Sequence, residues 1–352
     1  MKILVLGNGS LSVANQEKYI CNALSVNNEV TLISNPPNKL LEWEEVKLNF
    51  KNHIIPYQEY NYDVLNTDIE EHNFDVCLGL DQSVCAFVAD YKSRHHTKSY
   101  CMFLDFPVHC VSGQDLINYN FSYAQRYYYW LQCSLDLDGL IFNNTVAIEE
   151  YYKRYKRIAH LVFYPVISQY FIDSFDSEPT KDYVVGCHRL IGYKGTDYTL
   201  KALRKLHIPY KHIFVSGDKA HMDIIEGLTK ELSSKVEYYK CLNDKEKMFM
   251  LYNSKFVSYP QITEWIGGMS VIEGWSVGTP GVCFDYPVLR ELYGDCVLYA
   301  KPHSVIELRW AMEQLWNDKD LNQDLAANGY KRYKELFTLE KMAENFMRVF
   351  ND

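Results

Sequence analysis

Short apolar runs recur along the first half of the chain, and stretches with helical spacing separate most of them. The runs are Lys2–Gly7, Glu29–Ser34, Asp75–Leu80, Ser99–Asp105, Gly139–Asn143 and His160–Pro165, and the helical patterns include residues 82–94 and 145–157. Strands that are apolar throughout, rather than alternating, indicate a parallel sheet covered on both faces. The pattern therefore predicts a doubly wound α/β domain.

The same pattern resumes after a break at residues 168–182, where periodicity is lost and acidic residues and a proline appear. Further strands are predicted from Tyr183 onward, before the loop that carries Arg189, and at Lys211–Gly217, Val236–Cys241, Lys255–Pro260 and Thr279–Asp285. Helices are predicted over 196–206, 244–253, 303–317, 319–336 and 339–350. We interpret the break as an interdomain linker. The predicted domains are 1–167 and 168–338.

Composition narrows the class of protein. The 352 residues are 47% apolar, but no run of about 18 apolar residues suggests a membrane span, and the chain opens directly into a strand, so we expect a cytoplasmic protein. Ten cysteines occur singly, which favours reduced thiols over disulfides or a zinc site. A net charge of −9 argues against a protein that binds nucleic acid mainly by electrostatic attraction.

One stretch, Ile262–Pro280, combines the end of a strand, two glycines and the start of a helix near Met269. A helix start offers unpaired N–H groups and the positive end of the helix dipole, which suit a phosphate or diphosphate. We expect the backbone at Gly268, Met269 and Ser270 to bind it. Glu273, one turn into the helix, would accept hydrogen bonds from a vicinal diol such as a ribose, and Glu264 would lie across the same site.

A second anion site is predicted after the strand that begins at Tyr183. Arg189 and Lys194 follow this strand and precede the helix over 196–206, so two cations lie beside another helix start. At the amino end, Gly7 and Gly9 open a Rossmann-type turn that lacks the third glycine and the following acid of a dinucleotide site. We therefore expect no nicotinamide or flavin cofactor.

The segment from Glu264 to Pro280 resembles the E-x7-E motif of retaining glycosyltransferases with two Rossmann-like domains facing a cleft, the GT-B fold, and specifically family four. Here eight residues, not seven, separate Glu264 from Glu273. The resemblance implies that Glu264 contacts the donor sugar and Glu273 the ribose. It also implies that the pair Arg189 and Lys194 neutralises the donor diphosphate.

In the first domain the resemblance points to three residues. Asp105 and His109 occupy the place where family members carry a residue beside the donor sugar, and Gly9 lies in a loop that approaches the donor phosphates or the acceptor. The alternatives are a capping Asp105, a core His109 and a simple turn at Gly9. The terminal helix, 339–352, is implied to rejoin this domain.

The implied reaction transfers a sugar from a nucleoside-diphosphate sugar, most simply a UDP-sugar, to a glycan or glycoconjugate. No metal is expected, because Asp136-Leu-Asp138 precedes its strand, away from the ligand edge. Three alternatives stay open. The first is a glycosyltransferase that acts on a modified DNA base, in which Lys153–Arg157 with Lys92, Arg94 and Lys98 would contact the DNA phosphates. The second is a nucleotide-sugar epimerase, and the third is a non-enzymatic nucleotide-binding module.

Overall fold

The computed structural model describes residues 1–7, 14–34, 49, 51–54, 73–103, 129–166, 175, 177–240, 243–262 and 268–352. The chain divides into two compact units. Unit one consists of Met1–Pro165 and Leu339–Asp352, and unit two of Val166–Thr338. The division lies two residues before the predicted boundary. No helix in these described ranges is both long and apolar enough to cross a bilayer.

Unit one is built on a parallel seven-stranded sheet with the order β3-β2-β1-β4-β5-β6-β7. Its strands are β1 Lys2–Leu6, β2 Glu29–Ser34, β3 Lys51–Ile54, β4 Val76–Gly79, β5 Lys98–Phe103, β6 Gly139–Phe142 and β7 Ala159–Leu161. Its helices include α1 Ala14–Leu24, α2 Cys85–His95, α3 Thr145–Tyr155 and, from the end of the chain, α11 Leu339–Asn351. The central strands are buried along nearly their whole length, as expected of a sheet with both faces covered.

The last helix packs on this first sheet. Its apolar face buries Phe346 and Phe350, and the Phe350 ring lies 5.4 Å from the ring of Tyr100 on β5. Lys98 Nζ donates to the carbonyl oxygen of Phe350 at 3.2 Å. Helix α11 is therefore part of unit one, although about 170 residues of unit two precede it in the chain.

Unit two is built on a parallel six-stranded sheet with the order β10-β9-β8-β11-β12-β13. Its strands are β8 Val184–Cys187, β9 Tyr210–Phe214, β10 Val236–Lys240, β11 Phe256–Tyr259, β12 Gly281–Phe284 and β13 Val297–Ala300. Its helices are α4 Thr196–Leu203, α5 Lys219–Lys230, α6 Asp244–Asn253, α7 Met269–Ser276, α8 Pro287–Tyr293, α9 Val305–Asn317 and α10 Lys319–Leu336.

The prediction of two doubly wound, Rossmann-like α/β domains is confirmed. The predicted strand His160–Pro165 is too long, since β7 ends at Leu161. The reason is that β7 is an edge strand whose single neighbour, β6, itself ends at Phe142. Elements β3, α5, α8 and β13 went unpredicted.

Candidate functional site

The strand order of unit two marks one place for a ligand. From β8 the chain builds outward to β9 and β10, then returns to form β11 on the other side of β8. In open α/β sheets, ligands bind outside the carboxyl ends of the strands at such a switch point. The loops that leave β8 and β11 carry the predicted phosphate-binding residues.

Lys194 is buried at this edge, with 9% of the residue exposed. Its Nζ donates to Tyr259 Oη and to Gln261 Oε1, both at 2.9 Å. Tyr259 ends β11 and its hydroxyl also donates to Gln261 Oε1. The ammonium of Lys194 is thus held by two side chains from the end of a neighbouring strand, so its position is set before any ligand arrives.

Gly195 makes this placement possible. Its φ of +74° favours glycine, and a Cβ at this position would overlap the carbonyl oxygen of Pro260. In addition, the N–H of Ile262 donates to the carbonyl oxygen of Tyr193 at 3.0 Å. The loop after β8 therefore packs directly on the chain that leaves β11.

Arg189 lies in the same loop but is exposed. Its Nη2 donates to Tyr193 Oη at 2.7 Å, while the ring centroid of Tyr193 lies 5.2 Å from Lys194 Nζ. One tyrosine thus contacts both predicted cations. Lys194 is fixed in the protein interior, whereas Arg189 can follow a ligand.

Helix α7 begins at Met269, beside the ends of β8 and β11. Gly268 is its N-cap and provides no side-chain cap for the first amides. The hydroxyl of Ser270 donates to the carbonyl oxygen of Cys187, the last residue of β8, and Tyr293 Oη donates to the carbonyl oxygen of Gly268 at 2.5 Å. The amino end of α7 is therefore anchored on the switch point, and its dipole adds positive potential there.

Glu273 lies one turn into α7 and is buried. Its Oε1 accepts a hydrogen bond from Lys247 Nζ at 2.9 Å, and the same ammonium lies 3.1 Å from Asp244 Oδ1. Burial alone would lower the pKa of Lys247, but the carboxylates of Glu273 and Asp244 hold it well above its ordinary value. Burial, and then the charge of Glu273, raises the pKa of the Cys187 thiol to about 12.

Six predicted site residues lie in the described ranges, and all six are at this edge of unit two. They are Arg189, Lys194, Gly268, Met269, Ser270 and Glu273. The other four, Gly9, Asp105, His109 and Glu264, lie outside the described residues. The structure brings the six together, and their roles stay predictions.

Sequence reasoning missed four residues that shape the site: Tyr193, Tyr259, Gln261 and Lys247. Tyr259 lies within an apolar run and Gln261 follows it, and neither could be predicted as a site residue because only the fold places them around Lys194. Lys247 does carry a sequence signal, because it lies near the amino end of α6, where the helix dipole disfavours a cation.

Histidines pack behind the loop that leaves β8. The ring of His188 lies 4.7 Å from that of His212, whose Nδ1 is 2.7 Å from Tyr210 Oη. Burial, assisted by His212 and Lys194, lowers the pKa of His188 well below its usual range, and burial lowers the pKa of His212 to about 4. Both rings are neutral at physiological pH, so they add no charge to the site.

Residues 169–332 match the model of a family described as "Glycosyl transferases group 1". The O-antigen chain mannosyltransferase C of Escherichia coli is 21% identical over 164 residues, which are 45% of this chain and 43% of that relative. The chain thus aligns with less than half the length of this curated relative.

Solved structures match the whole chain. HepE from Anabaena in complex with UDP-glucose has a TM-score of 0.77 and 14% identity, covering 100% of this chain and 99% of that one. An α,α-trehalose-phosphate synthase (UDP-forming) from Burkholderia xenovorans has a TM-score of 0.76 and 12% identity, covering 100% of both chains. At these identities the structural likeness shows the fold. The family match covers residues 169–332, and the fold of the chain is the GT-B fold of these solved structures.

Proposed function

We propose that the protein is a retaining glycosyltransferase that moves a sugar from a nucleoside-diphosphate sugar, most simply a UDP-sugar, to a glycan or glycoconjugate. One observation carries the proposal: the ammonium of Lys194 is buried and fixed at 2.9 Å from Tyr259 Oη, and the ring of Tyr259 packs against Gly268 at the start of α7. A cation and a helix amino end thus share one strand end. HepE, solved in complex with UDP-glucose, and the UDP-forming synthase have the same fold, which favours UDP as the nucleotide.

The arrangement suits departure of a diphosphate. As the bond between sugar and phosphate breaks, negative charge accumulates on the leaving oxygen, so groups fixed around it stabilise the transition state more than the ground state. Lys194 is such a group because its position does not depend on ligand binding. Arg189, exposed and held by Tyr193, supplies a second cation with a planar fork for phosphate oxygens. The first amides of α7 donate to the same diphosphate.

Glu273 is assigned to the ribose, since its buried carboxylate accepts hydrogen bonds from vicinal hydroxyls. Glu264 is proposed to contact the sugar, and Asp105 and His109 to lie beside the sugar or the acceptor hydroxyl. We further propose a same-face mechanism. In this mechanism, the acceptor oxygen forms the new bond to the anomeric carbon on the side that the diphosphate leaves, and the leaving phosphate oxygen takes the acceptor's proton.

The test is to incubate the protein with UDP-, GDP- and ADP-sugars, with and without a panel of glycan acceptors, and to measure nucleotide release. We expect release from one nucleotide class and a product whose anomeric configuration, determined by NMR, equals that of the donor. Lys194→Met should abolish most release. The matched control is Lys201→Met, because Lys201 pairs with Asp197 on α4 and is partly exposed. Absence of binding and release with all donors would contradict the proposal.

A further inference from the structure

Lys247 is a mostly buried lysine near the start of a helix in unit two. It is the fourth residue of α6, whose start is closed by a capping box between Asn243 and Glu246. A cation in the first turn or just after it opposes the helix dipole, and burying an ammonium costs hydration free energy. Nevertheless the side chain of Lys247 is only 19% exposed and that of Glu273 only 12%. The sequence therefore places a lysine where neither the helix nor solvation favours it.

The two acids explain how the cation is tolerated. Lys247 Nζ lies 2.9 Å from Glu273 Oε1 and 3.1 Å from Asp244 Oδ1. An ion pair of this burial adds little net stability over an apolar pair, so stability alone does not account for it. The pair also bridges two elements, since α6 follows β10 and α7 follows β11. It fixes the orientation of the Glu273 carboxylate.

The pair has the right chemistry for a hydroxyl. A hydroxyl donates one hydrogen bond and accepts others, a carboxylate only accepts and an ammonium only donates. A sugar hydroxyl placed beside the pair can thus donate to Glu273 and accept from Lys247 at once. An analogue without that hydroxyl would leave both charged groups without this partner, which is costly in a buried site.

We propose that Lys247 is a specificity-determining residue: with Glu273 it forms a two-sided site for a ribose hydroxyl and selects ribonucleotide over 2′-deoxyribonucleotide donors. The inference rests on the proposed nucleotide-sugar function and adds a residue to it. Lys247 supplies the donor half of the contact, and Glu273 the acceptor half.

The experiment measures the dissociation constants of UDP and 2′-deoxy-UDP by isothermal titration calorimetry, and those of the GDP and ADP pairs if UDP does not bind. The variants are Lys247→Met, Lys247→Arg and the control Lys245→Met. Lys245 lies two residues earlier on the same helix and is exposed. The wild type should prefer the ribonucleotide by at least about tenfold. Lys247→Met should bind UDP about tenfold more weakly and reduce the preference to below about threefold, Lys247→Arg should keep part of it, and the control should match the wild type.

Truncating one partner of a buried pair can prevent folding, so Lys247→Gln is the second variant. Its amide is one bond shorter than the lysine side chain and carries no charge, so it can still donate to Glu273 but gives the hydroxyl no charge-assisted hydrogen bond. Lys247→Gln should therefore also reduce the preference to below about threefold. A preference that survives in both Lys247→Met and Lys247→Gln would overturn the inference, as would a wild type that binds both nucleotides equally. These outcomes leave the proposed function intact. A wild type that binds no nucleotide would overturn the proposed function itself.

Discussion

Replacing Gly268 by alanine tests the geometry of the site through a single methyl group. A Cβ built on Gly268 would lie 2.0 Å from Cζ of Tyr259, whereas carbon atoms in contact are separated by about 3.5–4.0 Å. The ring is buried and its hydroxyl is bonded to Lys194 and Gln261, so it has little freedom to retreat. The start of α7 or the ring must therefore move by about 1.5 Å.

A displacement of this size has a calculable consequence. A misplacement of about 1 Å at a reacting centre can cost about 100-fold in rate, and overpacking a core typically costs about 1–3 kcal/mol. We expect Gly268→Ala to lower kcat/KM for the nucleotide-sugar donor by about 100-fold and the free energy of unfolding by about 1–3 kcal/mol. The assays are steady-state nucleotide release and urea denaturation.

Gly227→Ala is the matched control for this substitution. Gly227 is an exposed residue within α5, and a Cβ there meets no atom within 4 Å. Alanine should stabilise the helix by about 0.5–1 kcal/mol and leave the activity unchanged. If Gly268→Ala keeps wild-type donor affinity and turnover, the close packing of Gly268 on Tyr259 does not position the diphosphate, and our assignment of this turn is wrong.

Further predictions concern the charged and titratable residues. Lys194→Met should reduce turnover by about 100- to 1000-fold with an unchanged circular dichroism spectrum, and a reduction below tenfold would contradict its role at the leaving group. Glu273→Ala should chiefly raise the dissociation constant of the nucleotide, by about tenfold or more, and unchanged affinity would refute the ribose assignment. The pKa of His212 is about 4 in the folded protein and about 6.5 in the unfolded chain, so the folded state binds fewer protons. The free energy of unfolding is therefore highest above pH 6.5 and falls as the pH drops toward 4. Between pH 7.5 and 5.5 the free energy of unfolding should fall by about 1 kcal/mol through His212. Urea denaturation of His212→Gln should show a loss smaller by about that amount, and equal losses in both proteins would refute the assignment.

The sequence was most informative about buried strands and long amphipathic helices. β2 and α6 have the predicted bounds, because an apolar run and a capping box are local signals. β13 and α8 were missed because they have only four and seven residues, too few for a period to show. Strand ends were less predictable, as β7 illustrates, since the length of an edge strand depends on its neighbour.

For the site, residues near glycine turns were predictable and their partners were not. Lys194 and Glu273 follow from motifs, but the partners of Lys194 lie more than 60 residues later in the chain, and only the sheet order brings them together. The contact between Lys247 and Glu273 was likewise not predictable, because Lys247 lies on α6 and Glu273 on α7, and only the packing of these two helices brings them together. A motif identifies the residues of a site, whereas the fold determines which side chains hold them.

The most direct test of the account is hydrogen–deuterium exchange of the whole protein with and without UDP-glucose. We predict slower exchange in peptides covering residues 188–195 and 268–274, whose amides and side chains surround the switch point of unit two. The same peptides should be less protected in Lys194→Met at the same ligand concentration. Protection confined to other parts of the chain, or protection at these peptides that is unchanged in Lys194→Met, would contradict the placement of the donor diphosphate beside Lys194 and the start of α7.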